Sequence, residues 1–127
     1  MNPYLEEYNR KKVTVEKALS VVKSGDVVWT SYNGLEPATF MGNLHTIAPR
    51  VENVVVRHAG VYRPYPIVMD PACKGPIIPC TGFSDEFTRA SHELRNTWFV
   101  PSHLHNGFVR ADLQNGEVVF VCMGSPM

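Results

Sequence analysis

The chain has 127 residues, with 44% hydrophobic and 19% charged residues, which is the composition of one folded domain. Twelve Lys and Arg balance twelve Asp and Glu, so the sequence has no excess of basic residues to bind nucleic acid or acidic lipid. No run of about 18 apolar residues is long enough to cross a bilayer. Nucleic-acid and membrane partners are therefore not expected.

The N-terminus and the cysteines indicate a cytoplasmic protein. Glu6 and Glu7 stand where a secretory signal needs basic and then apolar residues. The three cysteines are an odd number without Cys-x-x-Cys spacing, which argues against a disulfide framework.

The first predicted elements are a helix and a strand. Thr14 has the character of a helix N-cap, and an apolar stripe follows at Val15, Ala18, Leu19 and Val22. Gly25 suits the end of that helix, and residues 27–31 form a short β-branched run that predicts a buried strand.

A second helix is predicted to begin at Pro37 and end at Pro49, and residues 54–56 are predicted to form the next strand. Its apolar face comprises Phe40, Met41, Leu44 and Ala48. A strand, a helix and a strand at this spacing form a βαβ unit, so the two strands should run parallel.

The second half of the chain continues this alternation. Five prolines within residues 62–79 argue against regular helix there, although residues 77–83 can supply a short extended piece. A third helix should run from Ser84 to Glu93, and strands are expected at residues 98–101 and 118–123. The predicted fold class is α/β, with an open, mainly parallel sheet and flanking helices.

The last predicted strand leads into Gly124-Ser125-Pro126-Met127 without a helix to cover the sheet. We therefore expect residues 1–127 to be a single domain of a larger protein, truncated at its C-terminal end.

Ligands of open α/β sheets bind beyond the carboxyl ends of the strands, here residues 31–36, 58–60, 101–105 and 124–127. Glu36 could position a substrate or act as a base, and it also suits an ordinary acid at a helix start. His58 could contact a polar ligand or be a hydrogen-bonded structural histidine. His103 and His105 have no third ligand at a supporting spacing, so no metal site is predicted.

A family resemblance joins several of these segments. The sequence resembles the N-terminal half of the acetyl-CoA hydrolase/transferase family, in particular the 4-hydroxybutyrate and butyrate–acetate CoA-transferases. The resemblance follows the whole chain in order, through residues 8–12, 14–18, 23–28, Gly34-x-x-Pro37, 53–56, 99–101 and Val121-x-x-x-Ser125-Pro126-Met127.

This resemblance implies a two-lobed enzyme that moves CoA between short-chain carboxylic acids. In the family a glutamate attacks the acyl-CoA thioester, and a glutamyl-CoA intermediate forms. That glutamate lies in the second half of the family's chains, so the catalytic residue is expected outside residues 1–127. CoA is a substrate, and no tightly bound cofactor is implied.

The resemblance also implies the partners and the contact residues. The expected partners are an acyl-CoA, a small carboxylic acid, the second CoA-transferase half and further copies in a homo-oligomer. The alternative is a non-catalytic remnant or subunit that binds a partner through an unfinished sheet edge. With Glu36 and His58 included, the predicted substrate-binding residues are Asn33, Gly34, Glu36, Pro37, His58, Ser125 and Pro126.

Overall fold

The computed structural model describes residues 3–31 and 35–101, together with the backbone of residues 118–121. The strands are β1 (Val27–Thr30), β2 (Val54–His58), β3 (Ile77–Thr81), β4 (Trp98–Phe99) and β5 (Val118–Val121). The helices are α1 (Leu5–Lys11), α2 (Val15–Leu19), α3 (Ala38–Asn43), α4 (Pro66–Met69) and α5 (Glu86–Glu93), with 3₁₀ turns at Leu44–Arg50 and Pro71–Cys73.

The five strands form one sheet in the order β4-β3-β2-β1-β5, and every neighbouring pair is parallel. Val28 lies opposite Val56, so β1, α3 and β2 form the predicted βαβ unit. The predicted α/β class with an open parallel sheet is confirmed. The predicted strands at 27–31, 54–56, 77–83 and 98–101 exist with slightly different ends. The strand predicted at 118–123 exists over residues 118–121, and residues 122–123 lie outside the described part of the chain.

The hydrophobic core lies on one face of the sheet. Strand residues Val28, Val54, Val56 and Ile77 share this face through the strand register and are almost completely buried. Apolar residues of the helices and turns complete the core, among them Leu19, Val22, Phe40, Met41, Leu44, Ile47, Ile67 and Val68. Side chains of alternate strand positions, such as Val55, Arg57, Ile78 and Cys80, are half-buried.

Helix α2 begins as predicted but ends earlier than its apolar stripe. The Thr14 hydroxyl accepts a hydrogen bond from the Lys17 N–H at 3.3 Å, as an N-cap residue should. The helix stops at Leu19 because Arg50 donates to the carbonyls of Leu19 and Val22, which a longer helix would have used internally. Val22 remains in the core with 0% exposure.

The proline-rich segment contains a helix that the sequence analysis did not predict. Pro66 is the first residue of α4, a position where a missing N–H costs nothing. The carbonyls at the other end of α4 accept hydrogen bonds from Asn96 Nδ2, which lies 2.9 Å from Val68 O and 3.2 Å from Ile67 O. Distant side chains thus stabilise a helix of only four residues.

Helix α1 was also not predicted. None of its residues is buried, so it has no apolar stripe from which a helix could be recognised. Its local signals are the acids Glu6 and Glu7 in the first turn and the bases Arg10 and Lys11 in the last, which favour the helix dipole. Among the described residues, no helix is long and apolar enough to span a membrane.

The link between Arg50 and the end of α2 leads to a stability prediction. Arg50→Ala should lower the free energy of unfolding by about 2 kcal/mol, because two partly buried carbonyls lose a charged donor. Urea denaturation of both proteins measures the difference. The control is Arg10→Ala, whose side chain is 73% exposed and should change stability by less than about 0.5 kcal/mol. Equal effects of the two substitutions would contradict this role for Arg50.

Candidate functional site at the carboxyl edge of the sheet

The strand order reverses between β1 and β5. The chain proceeds from β1 through β2 and β3 to β4 in one direction, whereas β5 lies on the other side of β1. Thr30 and Val121, near the carboxyl ends of these two strands, are opposite each other. Open α/β sheets bind ligands in the crevice outside such a reversal, which makes this edge the candidate site.

A row of polar side chains lies at the carboxyl edge, on the face of the sheet that carries the core. Thr30 is next to His58 in the register that pairs Trp29 with Arg57, and His58 is opposite Thr81. These three residues are buried, with exposures of 9%, 4% and 3%. The Thr30 hydroxyl donates to Arg57 O and the Thr81 hydroxyl to Phe83 O, so both hydroxyls have protein partners.

The loop after β2 is held by three side chains that accept hydrogen bonds from successive backbone amides. Gly60 N–H donates to His58 Nδ1 at 3.3 Å, and Val61 N–H donates to Asp85 Oδ2 at 2.8 Å. Tyr62 N–H donates to Glu36 Oε1 at 2.7 Å. Gly60 has φ of 107°, a conformation that favours glycine. The loop therefore joins β2 to the start of α5 and to the segment before α3.

Both carboxylates have further partners. Glu36 Oε2 accepts a hydrogen bond from the Tyr65 hydroxyl at 2.8 Å and lies 4.0 Å from Arg63 Nη1. Asp85 is the N-cap of α5, and its Oδ1 accepts from Thr88 N–H at 2.8 Å. Glu36 is 4% exposed, so its charge is compensated within the protein.

His58 is neutral at physiological pH. Burial lowers the pKa of its imidazole from 6.5 to about 4, although the negative charge of Asp85 opposes the shift. Because Nδ1 accepts the Gly60 N–H, the ring proton belongs on Nε2. Within the described part of the chain, buried Nε2 has no hydrogen-bond partner.

Two of the predicted substrate-binding residues are brought together, because Glu36 and His58 hold amides two positions apart on the same loop. Pro37 is the buried N-cap of α3, so this helix begins one residue later than predicted. It is α-helical only to Asn43, and the rest of the predicted helix is the 3₁₀ turn Leu44–Arg50. Asn33, Gly34, Ser125 and Pro126 lie outside the described residues, as do His103 and His105. Substrate contact by all seven predicted site residues stays a prediction.

The sequence analysis included Asp85 only within the start of the third predicted helix and did not single out Tyr65. Ser84-Asp85-Glu86 is a local capping signal, whereas the contact of Asp85 with Val61 joins residues 24 positions apart. No local spacing could have revealed that contact. The signal that did exist was the position of Glu36 and His58 at the carboxyl ends of predicted strands.

Two grooves lie along α5 and β4. One has a volume of about 270 Å³ and the other about 440 Å³, and His92, Glu93 and Thr97 line both. None of the predicted site residues that the structure describes lines either groove. Thr81 of the polar row lines the smaller groove, which therefore reaches that end of the row, whereas the larger groove is separate from it.

The two remaining kinds of candidate group are the described cysteines and the possible metal ligands. Burial raises the pKa of both Cys73 and Cys80, so these thiols stay protonated at neutral pH and are weak nucleophiles. Within residues 3–31 and 35–101, no group of three or more His, Cys, Asp or Glu side chains is arranged to hold a metal ion.

The role of Glu36 in holding the loop predicts a large effect on stability. Glu36→Ala should lower the free energy of unfolding by roughly 3 kcal/mol, because Tyr62 N–H and the Tyr65 hydroxyl both lose their acceptor. Urea denaturation measures the change. The exposed residue Glu52 provides the control, and Glu52→Ala should stay within about 0.5 kcal/mol of the parent protein. A Glu36→Ala protein as stable as this control would refute the anchoring role.

The buried imidazole predicts a pH dependence of stability. Between pH 6.5 and about 4, the unfolded chain binds a proton at His58 that the folded chain excludes. The free energy of unfolding should therefore be highest, as far as His58 is concerned, above pH 6.5. It should fall by roughly 3 kcal/mol in total as the pH is lowered towards 4.

Unfolding by urea at several pH values across this window tests the prediction. His58→Gln should flatten the dependence relative to the parent protein, whereas His92→Gln, at an exposed position, should preserve it. Identical pH profiles for the parent and His58→Gln would show that His58 is not the group responsible.

Comparison with known proteins adds a fold relative. The crystal structure of RipA from Yersinia pestis matches 82% of this chain with a TM-score of 0.69 and 20% sequence identity. This chain spans about a quarter of RipA, 26% of its length. No protein-family model matches the sequence, and no curated protein matches it. The chain therefore shares its α/β fold, an open parallel sheet with flanking helices, with part of RipA.

Proposed function

We propose that this chain is the N-terminal part of an acyl-CoA:carboxylate CoA-transferase, which moves CoA between short-chain carboxylic acids. The observation that carries the proposal is the reversal of strand order between β1 and β5. The sequence segments around Asn33-Gly34 and Ser125-Pro126, which resemble the CoA-transferases, directly follow these two neighbouring strands. A common binding crevice at this edge would explain why the resemblance includes both segments.

The carboxylates of the described site support a nucleophile from outside the chain. Glu36 and Asp85 each accept hydrogen bonds at both oxygens, and these bonds hold the loop after β2 and the start of α5. A carboxylate in that role is a poor candidate for covalent attack, because the attack would release its partners. The proposed glutamate would come from the second half of the enzyme.

The proposed reaction has a definite sequence of bonds. The external glutamate attacks the thioester carbonyl, CoA leaves as the thiolate, and an acyl-glutamyl anhydride remains. The thiolate then attacks the glutamyl carbonyl, which releases the first carboxylate and leaves glutamyl-CoA. A second carboxylate attacks this thioester and takes the CoA by the same steps in reverse.

In this reaction the described chain would bind and orient the acyl group or the pantetheine and exclude water. The proposed contacts are Asn33, Gly34, Glu36, Pro37, His58, Ser125 and Pro126. Exclusion of water matters because the anhydride would otherwise hydrolyse before the CoA thiolate attacked it. The complete assembly is proposed to be a cytoplasmic homo-oligomer without a tightly bound cofactor.

A second function is favoured by the position of β5. In the described sheet β5 is an end strand that pairs with β1, so its other side is a potential pairing surface. A non-catalytic subunit could bind a partner strand there. Measurement of the mass in solution tests this alternative, and a homodimer cross-linked through β5 would support it. A monomer would contradict it.

The CoA-transferase proposal predicts activity only in a completed enzyme. Residues 1–127 should restore exchange of labelled acetate with acetyl-CoA when they replace the corresponding segment of a characterised acetate CoA-transferase. The same enzyme with the segment deleted provides the baseline. The 127-residue chain alone should give no exchange, and mass spectrometry after treatment with acetyl-CoA and borohydride should find no modified glutamate in it.

A pair of glycine variants sharpens the test. Gly34→Val in the fusion should lower kcat/KM at least about tenfold, because the added side chain would obstruct the substrate. Gly42→Ala is the control, since its new methyl group meets no atom within 4 Å. An inactive but folded fusion, or exchange by the isolated chain, would refute the proposal.

A further inference from the structure

Within the described part of the chain, the polar row at the carboxyl edge contains one donor without an acceptor. The hydroxyls of Thr30 and Thr81 have backbone partners, whereas buried His58 Nε2 has none among the described residues. An unpartnered polar atom in the interior destabilises the folded protein, so its retention calls for an explanation. Three further buried polar atoms have no hydrogen-bond partner among the described residues and lie outside the row. Arg57 Nε belongs to the alternate face of β2, His45 Nδ1 to the 3₁₀ turn Leu44–Arg50, and Asn96 Oδ1 precedes β4 and so lies towards the opposite edge of the sheet.

The protein fixes which hydrogen-bonding role this nitrogen can play. Gly60 N–H donates to Nδ1, and Gly60 is itself held by the neighbouring bonds of Val61 to Asp85 and Tyr62 to Glu36. With Nδ1 as the acceptor, the neutral ring carries its hydrogen on Nε2. The two ring nitrogens project in different directions, so the Nε2–H points away from the Gly60 amide. The site therefore offers a directed, uncharged donor.

We infer that His58 Nε2–H donates a hydrogen bond to a carbonyl or carboxylate oxygen of the acyl substrate, and that His58 thereby selects for an acceptor group at this position. The identification of that substrate as a carboxylic acid and its thioester rests on the proposed function. The preference for an acceptor rests only on the His58 tautomer and would hold for any ligand of this edge.

A neutral donor suits a ligand that alternates between two charge states. During CoA transfer the acyl oxygen belongs in turn to a thioester, an anhydride and a carboxylate. A cationic side chain would bind the free carboxylate far more tightly than the uncharged thioester and would retain it as product. A neutral imidazole N–H binds these states more evenly. The side chain of the nearby cation Arg63 is 59% exposed, so solvent screens the attraction of its charge for a carboxylate.

Nitrogen-detected NMR of the His58 ring in the 127-residue chain tests the inference. In the free protein, the ring should carry its proton on Nε2, with Nδ1 unprotonated. Sodium butyrate should shift the Nε2–H proton downfield as the carboxylate accepts the bond, whereas sodium chloride at equal ionic strength should not. A proton on Nδ1, or an Nε2–H signal that butyrate leaves unchanged, would overturn the inference.

Variants provide a second measurement. His58→Phe should weaken butyrate binding about tenfold, the loss expected for one hydrogen bond to a charged acceptor. His58→Gln keeps an N–H donor and should stay within about threefold of the parent. The control is His92→Gln, because His92 belongs to α5 and lines the two grooves there. It should leave the affinity for butyrate unchanged. Equal affinities for His58→Phe and the parent would overturn the inference, and the NMR shift remains decisive if His58→Phe does not fold.

The two proposals fail separately. A folded but inactive fusion enzyme together with a butyrate-dependent His58 shift would refute the CoA-transferase function and support the carboxylate contact. An active fusion enzyme whose kcat/KM is unchanged by His58→Phe would support the function and refute the contact.

Discussion

Three successive backbone amides, those of Gly60, Val61 and Tyr62, determine the geometry of the candidate site. Each donates to a side chain from a different part of the chain, and two of the acceptors are carboxylates. An amide without its acceptor would cost about 1–3 kcal/mol in a buried setting. The loop after β2 therefore keeps its conformation only while His58, Asp85 and Glu36 keep theirs. The protonation of His58, the position of Glu36 and the start of α5 are linked through this loop.

This linkage shapes the chemistry available at the carboxyl edge. The acids that a sequence search would choose as bases or nucleophiles are already used as hydrogen-bond acceptors within the protein. The imidazole is buried and uncharged, so it offers a donor rather than a general base at neutral pH. The described residues thus resemble a binding surface more than a complete catalytic centre. A chain that binds substrate while another part supplies the nucleophile agrees with the proposed role of this chain as one part of a larger enzyme.

The features predictable from sequence are those encoded by neighbouring residues. The Thr14 N-cap, the helix start at residues 84–86 and the β-branched runs of β1 and β2 predicted the existence of their elements correctly. The early end of α2 could not be predicted, because it depends on Arg50, which lies 31 residues from Leu19. Helix α4 similarly depends on a side chain 28 residues from Val68.

The candidate site followed the same rule. Glu36 and His58 could be chosen because the ends of strands can be predicted from the sequence. That both side chains accept hydrogen bonds from the same loop could not be predicted. The bond from Tyr62 to Glu36 joins positions 26 apart and has no periodic signature.

The hydrogen bonds that hold the loop after β2 also have a dynamic consequence. Surface loops usually exchange their amide hydrogens with solvent quickly, because small local openings expose them. Here the Val61 and Tyr62 hydrogens can be released only if the beginning of α5 or the segment before α3 moves as well. These two amides should then exchange together with those of the first turn of α5, as one cooperative unit, although they belong to no helix or strand.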